Sequence, residues 1–288
     1  MATFKEFRNN VKPNWCPGCG DFSVQAAIQR AAANVGLEPE QLAVISGIGC
    51  SGRISGYINA YGLHGIHGRA LPIAQGVKLA NRELTVIASG GDGDGFAIGM
   101  GHTVHAIRRN LDVTYIVMDN QIYGLTKGQT SPRSAEGFKT KSTPEGSIET
   151  TLSPLEIALS AGATFVAQSF SSDLKQLTML IEEGLKHKGF SLINVFSPCV
   201  TFNKVNTYEW FKEHVVNLDQ FPEHDPSNRM AAMNKIMETN GLLTGLIYQD
   251  KVRKPYEDLA VGFKEQGLAK QSLELTREEF DKLVKEFR

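Results

Sequence analysis

Short apolar runs that end in glycine- or aspartate-bearing loops, each followed by a helical pattern, recur along this chain. "LAVISG" (Leu42–Gly47) leads into "IGCSGR", "LTVIASG" (Leu84–Gly90) leads into "GDGDG", and "DVTYIVMDN" ends at Asn120. "ATFVAQ" and "FSLINVF" supply a fourth and a fifth run, separated by the amphipathic "SSDLKQLTMLIEEGLKHKG". One helix is expected from about Phe96 to Arg109. Another is expected in "SPLEIALSAG", with Ser153 as N-cap, Pro154 at N1, Glu156 completing a capping box and Gly162 ending it. Strands alternating with helices imply a parallel sheet covered on both faces. The predicted class is α/β, a parallel sheet flanked by helices.

In such sheets ligands bind beyond the carboxyl ends of the strands, and the unusual residues of this chain fall there. Cys50 follows the first run, the glycine–aspartate cluster the second, Asn120 the third, and Cys199 in "SPC" the fifth. The other two cysteines, Cys16 and Cys19, lie in "NWCPGCG", an N-terminal arm that can fold over the same rim. A C-x2-C pair alone is compatible with zinc, a redox dithiol or an iron–sulfur cluster. Composition narrows the context. The chain is 41% apolar and 21% charged with 28 glycines, as in a globular α/β enzyme, and its net charge of −1 gives no reason to expect nucleic acid or membrane as partner. "MATFKEFRNNVK" lacks the apolar core of a secretory signal, and no apolar run approaches the roughly 18–20 residues that span a bilayer. A cytoplasmic location is expected, where disulfides are not.

Two glycine loops invite phosphate-binding readings. "GIGCSG" (Gly47–Gly52) fits G-x-G-x-x-G, but a dinucleotide site also wants an acidic residue about 20 positions on. "HGIHGRALPIAQGVKLAN" contains none. "GGDGDGFAIG" (Gly90–Gly99) is more informative. Two aspartates would repel a diphosphate at close range unless a divalent cation intervened. Mg²⁺ takes hard oxygen ligands, commonly one or two carboxylates together with phosphate oxygens. Asp92 and Asn120, 28 positions apart, would meet across one βαβ unit. The plainer alternative is two turn clusters rich in Gly, Asp and Asn.

"GDGDGFAIGMGHTVHAIRRN" with "VMDNQIYGLTKGQTSP" resembles the thiamine-diphosphate signature, in the version carried by the β subunits of 2-oxoacid:ferredoxin oxidoreductases. "WCPGCG", "SGIGCSGR", "YGLHGIHGRA" and "SPCV" are similar to that family too, so the resemblance runs from about residue 14 to 205. It implies a thiamine-diphosphate-binding domain over 1–203, with the N-terminal arm binding a cluster. Residues 204–288 are then a C-terminal extension that packs on the domain or on a partner subunit.

The resemblance assigns Mg²⁺ to Asp92, Asn120 and the backbone carbonyl of Ile122. It assigns thiamine diphosphate to Ile48, Gly49, Cys50, Ser51, His67, Gly93, Asp94, Gly124 and Leu125. It also implies one [4Fe–4S] cluster on Cys16, Cys19, Cys50 and Cys199, so that Cys50 would adjoin both groups. Structural zinc sites usually pair one C-x2-C with another knuckle, and here Cys50 and Cys199 each stand alone. The implied reaction is oxidative decarboxylation of a 2-oxoacid with coenzyme A to acyl-CoA, CO2 and reduced ferredoxin. Arg53 and Lys127 are the candidates to meet the far carboxylate of 2-oxoglutarate, the favoured substrate over pyruvate or a broad range of 2-oxoacids. This chain carries motifs for the diphosphate module alone. An α subunit with the pyrimidine-binding module is therefore the expected partner, in a heterodimer or α2β2 assembly. A non-redox thiamine-dependent decarboxylase or synthase, and a zinc-stabilised binding module, are the alternatives of other classes.

Two stretches depart from the alternating pattern. Residues 124–151 have little periodicity, as in a lid or binding loop. Near the C-terminus, Thr276 and Glu279 predict a capping box ahead of an apolar stripe at Phe280, Leu283, Val284 and Phe287, read as core or subunit-contact surface.

Overall fold

The computed structural model describes residues 2–260, 267–272 and 274–287. The first half runs α1 (Asp21–Asn34), β1 (Leu42–Ser46), β2 (Tyr61–His64), α2 (Ala70–Ala80), β3 (Thr85–Gly91), α3 (Met100–Arg109) and β4 (Thr114–Asp119). The second half runs α4 (Pro154–Ser160), β5 (Phe165–Phe170), α5 (Leu174–Lys186), β6 (Ser191–Phe196), α6 (Tyr208–His214), β7 (Val216–Asn217), α7 (Arg229–Glu238), β8 (Leu243–Gln249), α8 (Tyr256–Leu259) and α9 (Arg277–Glu286).

The strands form one sheet in the order β2-β1-β3-β4-β6-β5-β8-β7. All pairs are parallel except β5 with β8. Each of β1, β4, β5 and β6 is buried along its whole length, the pattern of strands covered on both faces. Their residues divide with the two-residue period of a strand. Ala43, Ile45, Tyr115 and Val117 meet α2, α3, α4 and α7 on one face, while Val44, Ile116 and Met118 meet α1 and α5 on the other. The five predicted runs are thus β1, β3, β4, β5 and β6. The sequence reading passed over β2, whose four residues are all exposed and show no alternation, and also β7 and β8.

The segment after residue 204 does not stand apart from the sheet. β8 pairs with β5, and Ala232 and Ile236 of α7 join one of the two main cores. Three local expectations change. Ser153 precedes α4 without a side-chain cap bond, so the capping box around Glu156 does not form; Pro154 still opens the helix and Gly162 ends it at φ +87°. The helix expected from Phe96 opens instead with a π-helical turn at Asp94–Ile98, and α3 starts at Met100. The capping box at Thr276 and Glu279 is present, yet Phe280, Leu283 and Phe287 are exposed, so the stripe is not core within this chain.

Register places the site. Ser46 lies beside Ser89, Gly91 beside Met118, and Asp119 beside Phe196, so β1, β3, β4 and β6 end along one rim. After β1 the chain turns outward to β2, then returns to the far side of β1 as β3. The reversal opens the crevice between β1 and β3 in which α/β sheets place ligands.

At the opposite rim a buried polar chain closes the fold. Asn110, left-handed at φ +58°, ends α3, and its Oδ1 accepts from Thr164 Oγ1 at 2.6 Å and from the N–H of Phe190 at 2.9 Å. His187 Nε2 lies 2.8 Å from Thr164 Oγ1, and burial holds this imidazole below its ordinary range. The folded chain favours the neutral ring, so the unfolded chain takes up the proton first. Stability present above about pH 6.5 is lost as pH falls below it. Asp21, whose carboxyl burial pushes up to about 6, contributes the opposite slope. We expect the Tm of wild type to fall more steeply than that of His187→Gln on acidification from about pH 7.5 to 5.5. Scanning calorimetry of the two proteins isolates the histidine.

Candidate functional site

Asp94 ties the crevice together. Its Oδ1 accepts from the backbone N–H of Ile48 at 2.9 Å and of Gly68 at 2.8 Å, and lies 2.7 Å from His67 Nδ1. One buried carboxylate therefore joins the loop after β1, the loop after β2 and the loop after β3. Close approach requires Gly47: a Cβ there would sit 2.0 Å from Asp94 Oδ2, and one at Gly90 would sit 2.7 Å from the same atom. Gly93 has a similar role, since a Cβ would fall 2.2 Å from the Tyr123 ring, whose hydroxyl donates to the Gly93 carbonyl at 3.2 Å. The first glycine loop thus makes room for an aspartate in the second. Asp94 Oδ2 itself is buried without a hydrogen-bond partner.

These loops enclose a cavity of about 160 Å³. Its lining includes Ile48, Gly49, Cys50, Ser51, His67, Gly93, Asp94, Gly124 and Leu125, together with Asp92, Asn120 and Ile122. Gln121, buried and left-handed at φ +59°, makes the turn that lets both its neighbours line the cavity. Ile122 N–H donates to Asn120 Oδ1 at 3.1 Å. Asp92 accepts a short hydrogen bond from Ser131 Oγ, and burial, with Asp119 close by, pushes its carboxyl up to about 7. Carboxylate, amide oxygen and backbone carbonyl on one wall are a hard-oxygen donor set of the kind Mg²⁺ prefers. A cation there would offset the crowding of charge that raises Asp92. Arg53 and Lys127 are not in the lining: both side chains are exposed, and neither has an ion pair among the described residues.

Cys50 belongs to the cavity wall and also faces the other cysteines. A single point, where a Cβ on Gly124 would stand, is 3.6 Å from Cys50 Sγ and 3.6 Å from Cys199 Sγ. Trp15 Nε1 donates to the Cys50 carbonyl at 2.7 Å, and Ser197 Oγ donates to Asp21 Oδ1 at 2.7 Å. These bonds pin the arm bearing Cys16 and Cys19 between the loops of Cys50 and Cys199. Burial first, and then the Asp21 carboxylate, push the Cys19 and Cys50 thiols up, the latter to about 12. Cys50 and Cys199 add to the effect on Cys19, and Cys199 and Cys16 to that on Cys50. Mutually interacting thiols that resist ionisation as they stand lose their protons when cationic iron or zinc takes their place. Among the described residues no three His, Cys, Asp or Glu side chains are disposed to hold a single metal ion. Cys16 is exposed, and the other three are half-buried.

The sequence reading missed the groups that support this site. Asp119, fully buried at the end of β4, pairs with Arg133 Nε at 2.8 Å. Ser134 Oγ donates to the Gln121 carbonyl at 2.7 Å. Their only signal in the sequence was the aperiodic stretch itself, which the structure ties beneath Asp92 and the turn at Gln121 through "SPRS".

Residues 47–195 match the family profile described as the C-terminal TPP-binding domain of thiamine pyrophosphate enzymes, and residues 199–265 match the C-terminal part of the pyruvate ferredoxin oxidoreductase β subunit. The fold and cavity are thus those of a thiamine-diphosphate-binding subunit. A 2-oxoacid:ferredoxin oxidoreductase subunit beta of Saccharolobus solfataricus is 44% identical over 256 residues, covering 85% of this chain and 84% of that one. A 2-oxoglutarate synthase subunit KorB of Archaeoglobus fulgidus is 41% identical over 198 residues, covering 69% and 74%. The 2-oxoglutarate:ferredoxin oxidoreductase of Magnetococcus marinus, solved with 2-oxoglutarate, coenzyme A and succinyl-CoA bound, aligns with TM-score 0.91 at 38% identity, over 98% of this chain and 96% of that one. The chain belongs to the β subunits of the 2-oxoacid:ferredoxin oxidoreductases.

Removing the Asp94 carboxylate leaves three donors without their acceptor in a buried place. Asp94→Ala is expected to destabilise the chain by about 3 kcal/mol. Asp94→Asn, which keeps one acceptor oxygen, should lose less than half as much. Gly47→Ala should resemble Asp94→Ala, because its methyl group displaces the same carboxylate. Calorimetric Tm values of the three variants check the order.

Proposed function

We propose that this chain supplies the diphosphate half of an enzyme that oxidatively decarboxylates 2-oxoglutarate with coenzyme A, giving succinyl-CoA, CO2 and reduced ferredoxin. The observation that carries the reading is the double position of Cys50, in the cavity wall and within reach of Cys199 Sγ. Asp92, Asn120 and the Ile122 carbonyl would hold Mg²⁺. Backbone groups of Ile48, Gly49, Ser51, Gly93, Gly124 and Leu125, with His67 and Asp94, would surround the diphosphate. Cys16, Cys19, Cys50 and Cys199 would hold one [4Fe–4S] cluster. When bound, thiamine diphosphate supplies the electron sink for decarboxylation and the cluster accepts the electrons released.

The protein's own part is placement. Asp94 fixes His67 through Nδ1, which leaves Nε2 as the ring's other polar atom. A cluster binds each thiolate to a different iron, whereas zinc requires all four thiolates at about 2.3 Å from one ion. One C-x2-C pair joined by two isolated cysteines, rather than by a second knuckle, favours the cluster. Among the relatives, the 2-oxoglutarate synthases and the structure holding 2-oxoglutarate favour that substrate over pyruvate. Lys127, two positions beyond Leu125 in the lining, and Arg53, two beyond Ser51, are the proposed partners of its distal carboxylate.

A cavity of about 160 Å³ is well below the roughly 300–1,000 Å³ of pockets that enclose a whole ligand. Leu125 in its wall and Ile66, next to His67, are exposed. Both features support an α subunit that closes the site and brings the pyrimidine module, in a heterodimer or α2β2 assembly. No described helix is long and apolar enough to cross a membrane; the proposed location is cytoplasmic.

Anaerobic co-expression with the partner should give a brown protein absorbing near about 400 nm, a transition of iron–sulfur thiolate coordination. It should reduce a viologen dye with 2-oxoglutarate and coenzyme A faster than with pyruvate. Cys50→Ser and Cys199→Ser should each bleach the colour and abolish reduction. A colourless, zinc-containing protein would refute the redox reading.

A further inference from the structure

The aperiodic segment between Gly124 and Thr151 touches the metal loop at one short place. Within Ser131–Ser134, each polar side chain reaches a different part of the Mg²⁺ wall. Ser131 Oγ donates to Asp92 Oδ2, which occupies one of the two carboxylate oxygens. Arg133 Nε donates at 2.8 Å to Oδ2 of Asp119, the residue that precedes Asn120. Ser134 Oγ donates at 2.7 Å to the carbonyl of Gln121, the left-handed residue between Asn120 and Ile122. All three donors are buried.

The segment is itself braced. Arg133 Nη1 donates to the Leu152 carbonyl at 2.6 Å, Leu152 N–H donates to the Pro132 carbonyl at 2.9 Å, and Thr151 Oγ1 donates to the Ser134 carbonyl at 3.1 Å. Asp119 continues inward, accepting from Asn194 Nδ2 at 3.1 Å, and Asn194 also donates to Gln168 Oε1 at 2.7 Å. The braces connect to the sheet core, so the tetrad holds a fixed position relative to the strand ends.

We propose that Ser131, Arg133 and Ser134 are positioning residues that together hold the carboxylate, the amide and the carbonyl of the Mg²⁺ wall in register with one another. Ser131 sets the rotamer of Asp92, and Ser134 holds the strained turn that lets Asn120 and Ile122 face one cavity. Arg133 balances Asp119, so that a second buried carboxylate can stand beside Asp92. The arrangement serves Mg²⁺ specifically, because this ion demands near-ideal octahedral geometry and responds to small ligand displacements more than Ca²⁺ does. The proposal rests on the assignment of Mg²⁺ to Asp92, Asn120 and Ile122 made above.

The test uses the complex purified with its partner subunit, stripped with a chelator and titrated calorimetrically with Mg²⁺ or Ca²⁺ at saturating thiamine diphosphate. Ser131→Ala and Ser134→Ala are expected to raise the Mg²⁺ half-saturation about tenfold, the loss of one buried hydrogen bond to a ligand or its turn. The Ca²⁺ half-saturation should rise less, because that ion accepts flexible geometry. Ser142→Ala, at an exposed position of the same segment, serves as the control and should match wild type. Equal Mg²⁺ half-saturation in wild type, S131A and S134A, with only Tm reduced, would overturn the proposal and leave the metal assignment standing. Wild type that binds thiamine diphosphate independently of any divalent cation would overturn both. Arg133→Lys retains charge without the planar donor fork and should fall between wild type and Arg133→Met in Mg²⁺ affinity.

Discussion

Burial of the Asp94 carboxylate is the constraint from which the rest of the site follows. A carboxylate in that place requires donors, and it draws them from two loops remote from its own in sequence: Ile48 after β1, and His67 and Gly68 after β2. The loops can approach only because residues 47 and 90 have no side chain. Glycines that resemble a phosphate loop are therefore first a device for packing backbone round an aspartate. The π-helical turn that opens at Asp94 belongs to the same device, since irregular turns of this kind mark helices reshaped around a site.

A second constraint is charge. Asp92 and Asp119 are buried near one another, and Arg133, which pairs with Asp119, also offsets Asp92. Burying like charges costs free energy unless a counter-charge is supplied, and breaking such a buried pair typically costs about 3–5 kcal/mol. Arg133 provides one positive charge, and the proposed divalent cation would provide the other. The thiols answer to the same logic. Their ionisation is opposed by burial and by Asp21, and coordination of the proposed cluster would reverse the balance. The fold has thus assembled two places where burial and neighbouring charge oppose ionisation, the Asp92 wall and the cysteines, and Cys50 is shared between them.

Much of this was legible along the chain, for identifiable reasons. Strands buried on both faces read as unbroken apolar runs, so β1, β3, β4, β5 and β6 announced themselves. β2 did not, because an edge strand with four exposed residues carries no periodic signal. β8 escaped because it pairs antiparallel at the far side of β5, a contact that depends on the sheet already being built. Residues 124–151 read as a lid or binding loop without visible anchors, and Ser131, Arg133 and Ser134 bind it to the sheet through side chains whose partners lie 39, 14 and 13 positions away. Single polar contacts of this sort leave no pattern for periodicity to detect.

The sequence by itself determined the class of fold and the chemical vocabulary of the site, because period, glycine placement and residue type are local properties of a chain. It also determined which positions fall at strand ends, through the lengths of the apolar runs. Only the tertiary structure decided that Asp94 serves as the tie between loops, that Arg53 and Lys127 lie outside the cavity lining, and that an aperiodic segment backs Asp92 and the turn at Gln121. Those outcomes depend on distances between residues far apart in the chain, and such distances exist only once the strands have taken their order and register.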